Sequence, residues 1–232
     1  MSSEFIISLL TIIGIDIILG GDNAIVVALA CRKLPPHLRN KAIILGIMLA
    51  IAARGVLTLV AVHLLTIPYL MSIGGILLLW IAFRLLTGTE EEHQITSEAK
   101  FSDAIKTIVI ADVVMGFDNV LAVAGAANGN GFLVLLGLLI SVPIIIWGSK
   151  LILYLMNKFP FIIYIGAGIL VYTAAKMILH EDIIAEKLQL INLNNSVFTL
   201  ALVIMVLFSG WFFNHVKGIQ WFHFSRNNRK DG

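Results

Sequence analysis

Residues 14–30 read GIDIILGGDNAIVVALA, which sets Asp16, Asp22 and Asn23 inside a run that is otherwise almost wholly aliphatic. A carboxylate at mid-bilayer costs roughly 2.5 to 3.5 kcal/mol, so intramembrane acids mark ion pathways or proton relays by default. The pattern returns at 112–126 as DVVMGFDNVLAVAGA. Seven of the fifteen aligned positions are identical: Asp16 with Asp112, Gly20 with Gly116, Asp22 with Asp118, Asn23 with Asn119, Val27 with Val123, Ala28 with Ala124 and Ala30 with Ala126. Chance likeness between apolar helices would match Leu, Ile and Val, whereas here both acids and the amide coincide.

The rest of the chain provides a membrane for these residues. Of its 232 residues 59% are hydrophobic and only 13% charged, with a strongly positive mean hydropathy. That composition belongs to a polytopic membrane protein. A net charge of +2, with no basic stripe interleaved with aromatics, excludes nucleic acid as a partner. The single cysteine, Cys31, rules out an intramolecular disulfide and a thiolate cluster. Because no Lys or Arg precedes the first apolar run and acids interrupt it, that run is expected to be a retained span, not a cleaved signal.

A spanning helix needs roughly 20 apolar residues. Seven segments meet this, at about 4–30, 42–62, 67–87, 104–127, 132–154, 160–179 and 195–214, predicting an all-α fold of seven transmembrane helices. The linkers 88–103 and 180–194 are expected as solvated loops or short interfacial helices, and 215–232 as a basic tail. Thirteen Lys and Arg fall on the side of the first, third and fifth connections and the tail. Only Lys176 and Lys187 fall opposite, and Arg54 lies within the second span. Basic residues are retained in the cytoplasm, so the N-terminus is expected outside and the C-terminus inside.

The repeat continues weakly downstream. LGI at 45–47 faces LGL at 136–138, and Gly74, Leu78, Ala82 and Arg84 face Gly166, Leu170, Ala174 and Lys176. Each repeat is therefore three helices, 4–87 and 104–179, joined by the cytoplasmic linker 88–103. The extracytoplasmic linker 180–194 then leads to the seventh helix outside the repeat. An odd number of spans forces the two copies to cross in opposite directions. Inverted repeats of this kind place substrates near the midplane, on broken helices between the halves.

Oxygen-only ligands suit hard divalent cations such as manganese, magnesium or calcium. The candidate metal set is Asp16, Asp22, Asn23, Asp112, Asp118 and Asn119. In a straight helix Asp16 and Asp22 point about 120° apart and sit about 9 Å apart along the axis. Gly20, Gly21 and Gly116 are therefore candidate unwinding points, or else close-packing points. Inversion predicts that depth pairs Asp16 with Asp118 and Asp22 with Asp112. Arg54 is a candidate charge partner for a motif carboxylate when the ion is absent, with snorkelling outward as the alternative. Met115 adjoins the second motif, either to fill a gap or to select manganese through its thioether. Four carboxylates exceed the charge of one divalent cation, which points to proton exchange during transport. No nucleotide-binding P-loop accompanies them.

The paired GGDNAIVVALA and GFDNVLAVAGA, the seven-span pattern and the chain length resemble the TerC family of integral membrane proteins, over about residues 4–180. The resemblance implies kinship to LysE-like transporters and association with manganese export and, by name, tellurite resistance. It carries Asp16, Asp22, Asp112 and Asp118 over as the motif acids, with Asn23 and Asn119 after the second of each pair. The reading is a secondary transporter exporting divalent metal, with manganese as cargo and no cofactor. A calcium or other cation antiporter and a LysE-like small-solute exporter are the alternatives. A membrane partner that loads metal into secreted enzymes is a different class, compatible with a homo-oligomer or a partner protein. An intramembrane aspartyl protease would carry Gly-x-Gly-Asp and Tyr-Asp, which Leu19-Gly20-Gly21-Asp22 and Phe117-Asp118-Asn119 do not match, so no enzymatic activity is expected.

Overall fold

The computed structural model describes the backbone of residues 3–64, 69–88, 97–126, 131–181, 184 and 194–227. Within those stretches the side chains of 3–4, 18–19, 58–64, 117–122, 124–125 and 217–227 are not described. The described chain is all helical: α1 (Ser3–Leu19), α2 (Gly21–Cys31), α3 (Pro36–Leu64), α4 (Leu70–Thr87), α5 (Ser97–Ala126), α6 (Gly131–Lys158), α7 (Ile162–Leu179) and α8 (Asn195–Asn227). Without water in the hydrocarbon, helices satisfy their own backbone groups, so an apolar chain of this composition takes this form. Among the fully described residues five helices are long and apolar enough to cross a membrane, and six if α1 and α2 form one bent span.

The ends follow local chemistry. Pro36 opens α3, where its missing N–H is no loss. Gly88 closes α4 in the left-handed region at φ 61°, its N–H donating to Arg84 O at 2.9 Å. The helices also depart from the sequence reading at two edges. The second half of the 88–103 linker is helical, because α5 starts at Ser97. Helix α8 continues past 214 to Asn227, into the stretch expected as tail. Most of the 180–194 linker lies outside the described residues.

Helix α3 packs on α5, α1 and α2 pack on α6, and α4 packs on α7, while α8 lies on α7 and α4. Two buried clusters result. One joins α1, α2, α3, α5 and α6 through Ile12, Val27, Ile43, Ile47, Ile108 and Leu138; the other joins α2, α4, α5 and α7 through Val26, Leu29, Leu78, Ala111, Leu170 and Ala174. Helices α2 and α5 belong to both, as does α6, which adds Leu153 and Met156 to the second, and together they form the seam. Small residues let backbones approach where the hydrophobic effect cannot drive association. Gly46 receives Ile108 and Gly137 receives Ile12, and a Cβ added at either would lie 2.7 or 2.3 Å from those side chains. Large apolar side chains on α6 and α8, such as Trp147, Phe208 and Trp211, face outward toward lipid.

Candidate functional site

Arg54, on α3, is 3% exposed. Its Nη1 donates to Asp16 Oδ1, and its Nη2 donates to Asp112 Oδ1 at 2.5 Å. One guanidinium therefore bridges the first acid of each repeated motif, a task its planar fork of donors suits and a lysine's point charge would not. The second oxygen of Asp16 accepts from Ser141 Oγ on α6. The second oxygen of Asp112 is buried and has no hydrogen-bond partner among the described residues.

Asn23 completes the centre. It is 4% exposed, and neither its Oδ1 nor its Nδ2 has a partner among the described residues. A buried amide left unpaired costs free energy, so it calls for an explanation. Asp16, Asn23, Arg54 and Asp112 line one cavity of about 20 Å³, walled by Val26, Val27, Ile47, Ala50, Ile51, Ile108 and Ile145. That volume holds about one water molecule or one ion.

The break between α1 and α2 positions these groups. The helix stops at Leu19, and Gly20 (φ −97°, ψ 9°) hands over to α2 through a 45° bend. A Cβ at Gly20 would lie 2.4 Å from Asp16 O, so no other residue sits here without backbone movement. A break at the first motif is thus observed, with Gly20 N–H still donating to Asp16 O at 2.8 Å. At the second it is not: α5 runs unbroken from Ser97 to Ala126 through Gly116, which lies against the Arg54 stem. Gly116 is therefore a packing glycine. Gly21 is exposed, with open space at its Cβ position.

Asp22 stands apart from the cavity. Its Oδ2 accepts from Thr173 Oγ1 on α7 at 3.2 Å, and its Oδ1 is buried without a hydrogen-bond partner among the described residues. The side chains of Asp118 and Asn119 lie outside the described residues. Met115 is buried in the cluster shared with α4 and α7 and does not line the cavity, which favours the gap-filling role. Among the described residues no three His, Cys, Asp or Glu side chains gather as a ready metal cage. A guanidinium already lies between the two acids that converge.

Helix directions follow from hydrogen bonds. At the C-terminal end of α2, Arg32 Nη2 donates to Leu85 O at 2.7 Å and Lys33 Nζ to Gly88 O at 2.6 Å. Arg84, at that same end of α4, pairs with Asp103 near the start of α5. The first motif thus runs from the Asp16 level toward the Asp103 level, and α5 runs from Asp103 back to Asp112. The motifs are antiparallel. The predicted depth pairing is nevertheless corrected, because Asp16 and Asp112 share one guanidinium and hence one level. Position 22 then lies on the Arg32 side of this level, and position 118 on the opposite side. A separate basic cavity of about 50 Å³ lies at the Arg32 end, lined by Arg32, Lys33, Arg84, Lys100 and Asp103 among others. Arg32 and Lys33 there satisfy the last carbonyls of α4, a favourable place for cations.

Ser141 and Thr173 are the functional neighbours that sequence reasoning missed. Each is a lone hydroxyl in an apolar span. The repeat offers a signal for the first, since Ser141 aligns with Ala50 in the register that aligns Ile145 with Arg54.

A multi-pass, all-helical membrane chain that joins two copies of one polar motif through a buried ion bridge defines the class. Within it the chain belongs to the TerC family: the family model described as Integral membrane protein TerC family matches residues 1–217. It is 51% identical over 181 residues to the uncharacterized membrane protein YjbE of Bacillus subtilis strain 168, covering 78% of this chain and 83% of that one. It is 28% identical over 203 residues to the uncharacterized membrane protein YkoY of the same organism, covering 75% of this chain and 61% of the relative. The UPF0053 inner membrane protein YoaE of Escherichia coli strain K12 is 28% identical over 190 residues, covering 73% of this chain and 36% of its own length. No solved structure matches the chain significantly.

Proposed function

We propose that the chain is a secondary transporter that exports divalent metal cations, manganese first among them, by proton-coupled alternating access. The observation that carries this reading is the cavity itself. Acids from two antiparallel motifs and an unpartnered amide converge on a volume fit for one ion. Oxygen ligands of this kind favour hard cations, and the TerC resemblance supplies manganese as the member of that class to test first. The small cavity favours an ion over a LysE-like amino-acid cargo. An aspartyl dyad shares a proton across direct contact, whereas a guanidinium separates these two acids, which supports a non-enzymatic role.

In this reading α1 with α2, α3 and α4 form one repeat, α5, α6 and α7 its inverted copy, and α8 a seventh span. The packing supports it: exchanging the repeats carries the α3–α5 contact onto that of α1 and α2 with α6, and carries Ile108 on Gly46 onto Ile12 on Gly137. The Lys and Arg count places the Arg32 end in the cytoplasm. Asp22 then serves the inner side of the centre and Asp118 the outer.

Proteoliposome flux of manganese, calcium, magnesium and lysine under an imposed pH gradient tests the proposal. Manganese flux driven by the gradient is expected; flux indifferent to pH rejects the coupling, and lysine flux rejects the cargo. Asp22→Asn and Asp118→Asn each remove a hard anionic ligand, so each is expected to lower manganese efflux about tenfold or more at normal expression. Gln at Glu90, Glu91 or Glu92 should leave efflux unchanged.

A further inference from the structure

We propose that Arg54 is a tethered counter-cation that takes the place of the departed metal ion and so lets the empty carrier return without cargo. This rests on the transport reading above and assigns a step within it. The guanidinium holds Asp16 Oδ1 and Asp112 Oδ1, one oxygen from each repeat, so it occupies the position from which a cation would bind both acids. The cavity beside it has room for about one water-sized particle. An ion that takes both acids must therefore displace the guanidinium from them.

Asn23 independently marks the cavity as built for a further ligand. Its amide is almost wholly buried, faces the same cavity and has no partner among the described residues while Arg54 holds the acids. At Gly116 helix α5 sets no side chain against the Arg54 arm. The arrangement is one-sided. The position equivalent to Arg54 in the second repeat is Ile145, which lines the cavity and offers no charge.

Charge decides the consequence. Two carboxylates facing one small cavity repel strongly where the dielectric is low, and moving them uncompensated through an occluded state is costly. With the guanidinium between them one of the two charges is cancelled and a proton of the coupled transport answers the other, so the metal-free form returns and net transport proceeds. Without it the acids need a metal ion in place to pass the occluded state. The carrier then exchanges metal for metal and does little else.

The test compares net flux with exchange in proteoliposomes at equal pH on both sides, using radiolabelled manganese. Wild-type protein is expected to carry out both net uptake into manganese-free vesicles and exchange into manganese-loaded ones. Arg54→Gln is expected to keep exchange within about threefold, to lose net flux by about tenfold or more, and to bind manganese about tenfold more tightly because its competitor is gone. Arg54→Lys, which keeps the charge but lacks the two-nitrogen fork that spans both acids, should recover part of the net flux. Equal net flux in wild type and Arg54→Gln overturns the proposal. So does loss of exchange and binding together in both variants while they remain monodisperse, which assigns Arg54 a structural role only. Wild-type protein that carries neither net flux nor exchange overturns the transport reading itself and this step with it.

Discussion

Asp16 and Asp112 hold the same guanidinium, yet their surroundings differ. The Asp16 side chain is 1% exposed and accepts from both Arg54 and Ser141, at the end of a helix that breaks four residues later. The Asp112 side chain is 12% exposed, leaves one buried oxygen without a partner among the described residues, and stands in an unbroken helix. A satisfied carboxylate anchors the centre, and in the transport reading proposed above the other is the one with an oxygen left for a ligand. The duplication therefore supplies two copies of one motif, and the neighbours on α3 and α6 make one copy a fixed post and the other the more available ligand.

The largest expected effect tests that division directly. Asp16→Ala removes one of the two acids that Arg54 holds among the described residues and leaves the Ser141 hydroxyl only the Leu138 carbonyl of its own helix. Breaking a buried pair in this way typically costs about 3 to 5 kcal/mol. Asp112→Ala removes a less buried partner and should cost clearly less. Thermal unfolding of the two purified variants in one detergent checks the order. Equal losses would show that the two acids anchor the fold alike.

The broken and unbroken motif helices give the next contrast. Gly20→Ala brings a Cβ within 2.4 Å of a backbone oxygen, so the hinge must shift, at about 1 to 3 kcal/mol. Gly116→Ala places its Cβ 3.6 Å from Arg54 Nε, an ordinary contact, and a mid-helix Gly→Ala change favours the helix by up to about 1 kcal/mol. Opposite signs in unfolding temperature are expected. Destabilisation by both would mean that α5 also relies on a flexible glycine.

Much of this was legible because polar residues are rare in apolar spans. Asp16, Asp22, Asn23 and their repeats stand out by cost alone, and Arg54 was a candidate partner for a carboxylate with outward snorkelling as the alternative, which its burial against Asp16 and Asp112 removes. Antiparallel motifs followed from counting spans. The level of each acid was not legible, since depth depends on where the helix sits in the bilayer and the apolar run extends unevenly on either side. Nor could the sequence distinguish Gly20 as a break from Gly116 as a contact; the same residue serves both ends, and only the neighbouring Arg54 stem decides between them. Ser141 and Thr173 escaped because a hydroxyl in a membrane helix usually bonds its own backbone, as Ser149 does to Ile145.

The smallest expected effect probes whether the two halves differ by one hydroxyl. Ser141→Ala removes a donor to a buried carboxylate and should cost about 1.5 kcal/mol. Its counterpart Ala50 is 3% exposed and lines the cavity with Asp112, whose second oxygen has no donor among the described residues. Ala50→Ser supplies one, and a gain of at most about 1 kcal/mol in stability is expected. The new hydroxyl also takes up space that the ion would use, so manganese flux should fall modestly as stability rises. A serine that bonds back to its own helix would instead leave both unchanged. The double variant Ala50→Ser with Asp112→Asn separates these outcomes: if the hydroxyl serves the acid, the stabilisation shrinks when the acid is neutralised, and if it persists in full the halves differ by more than this donor.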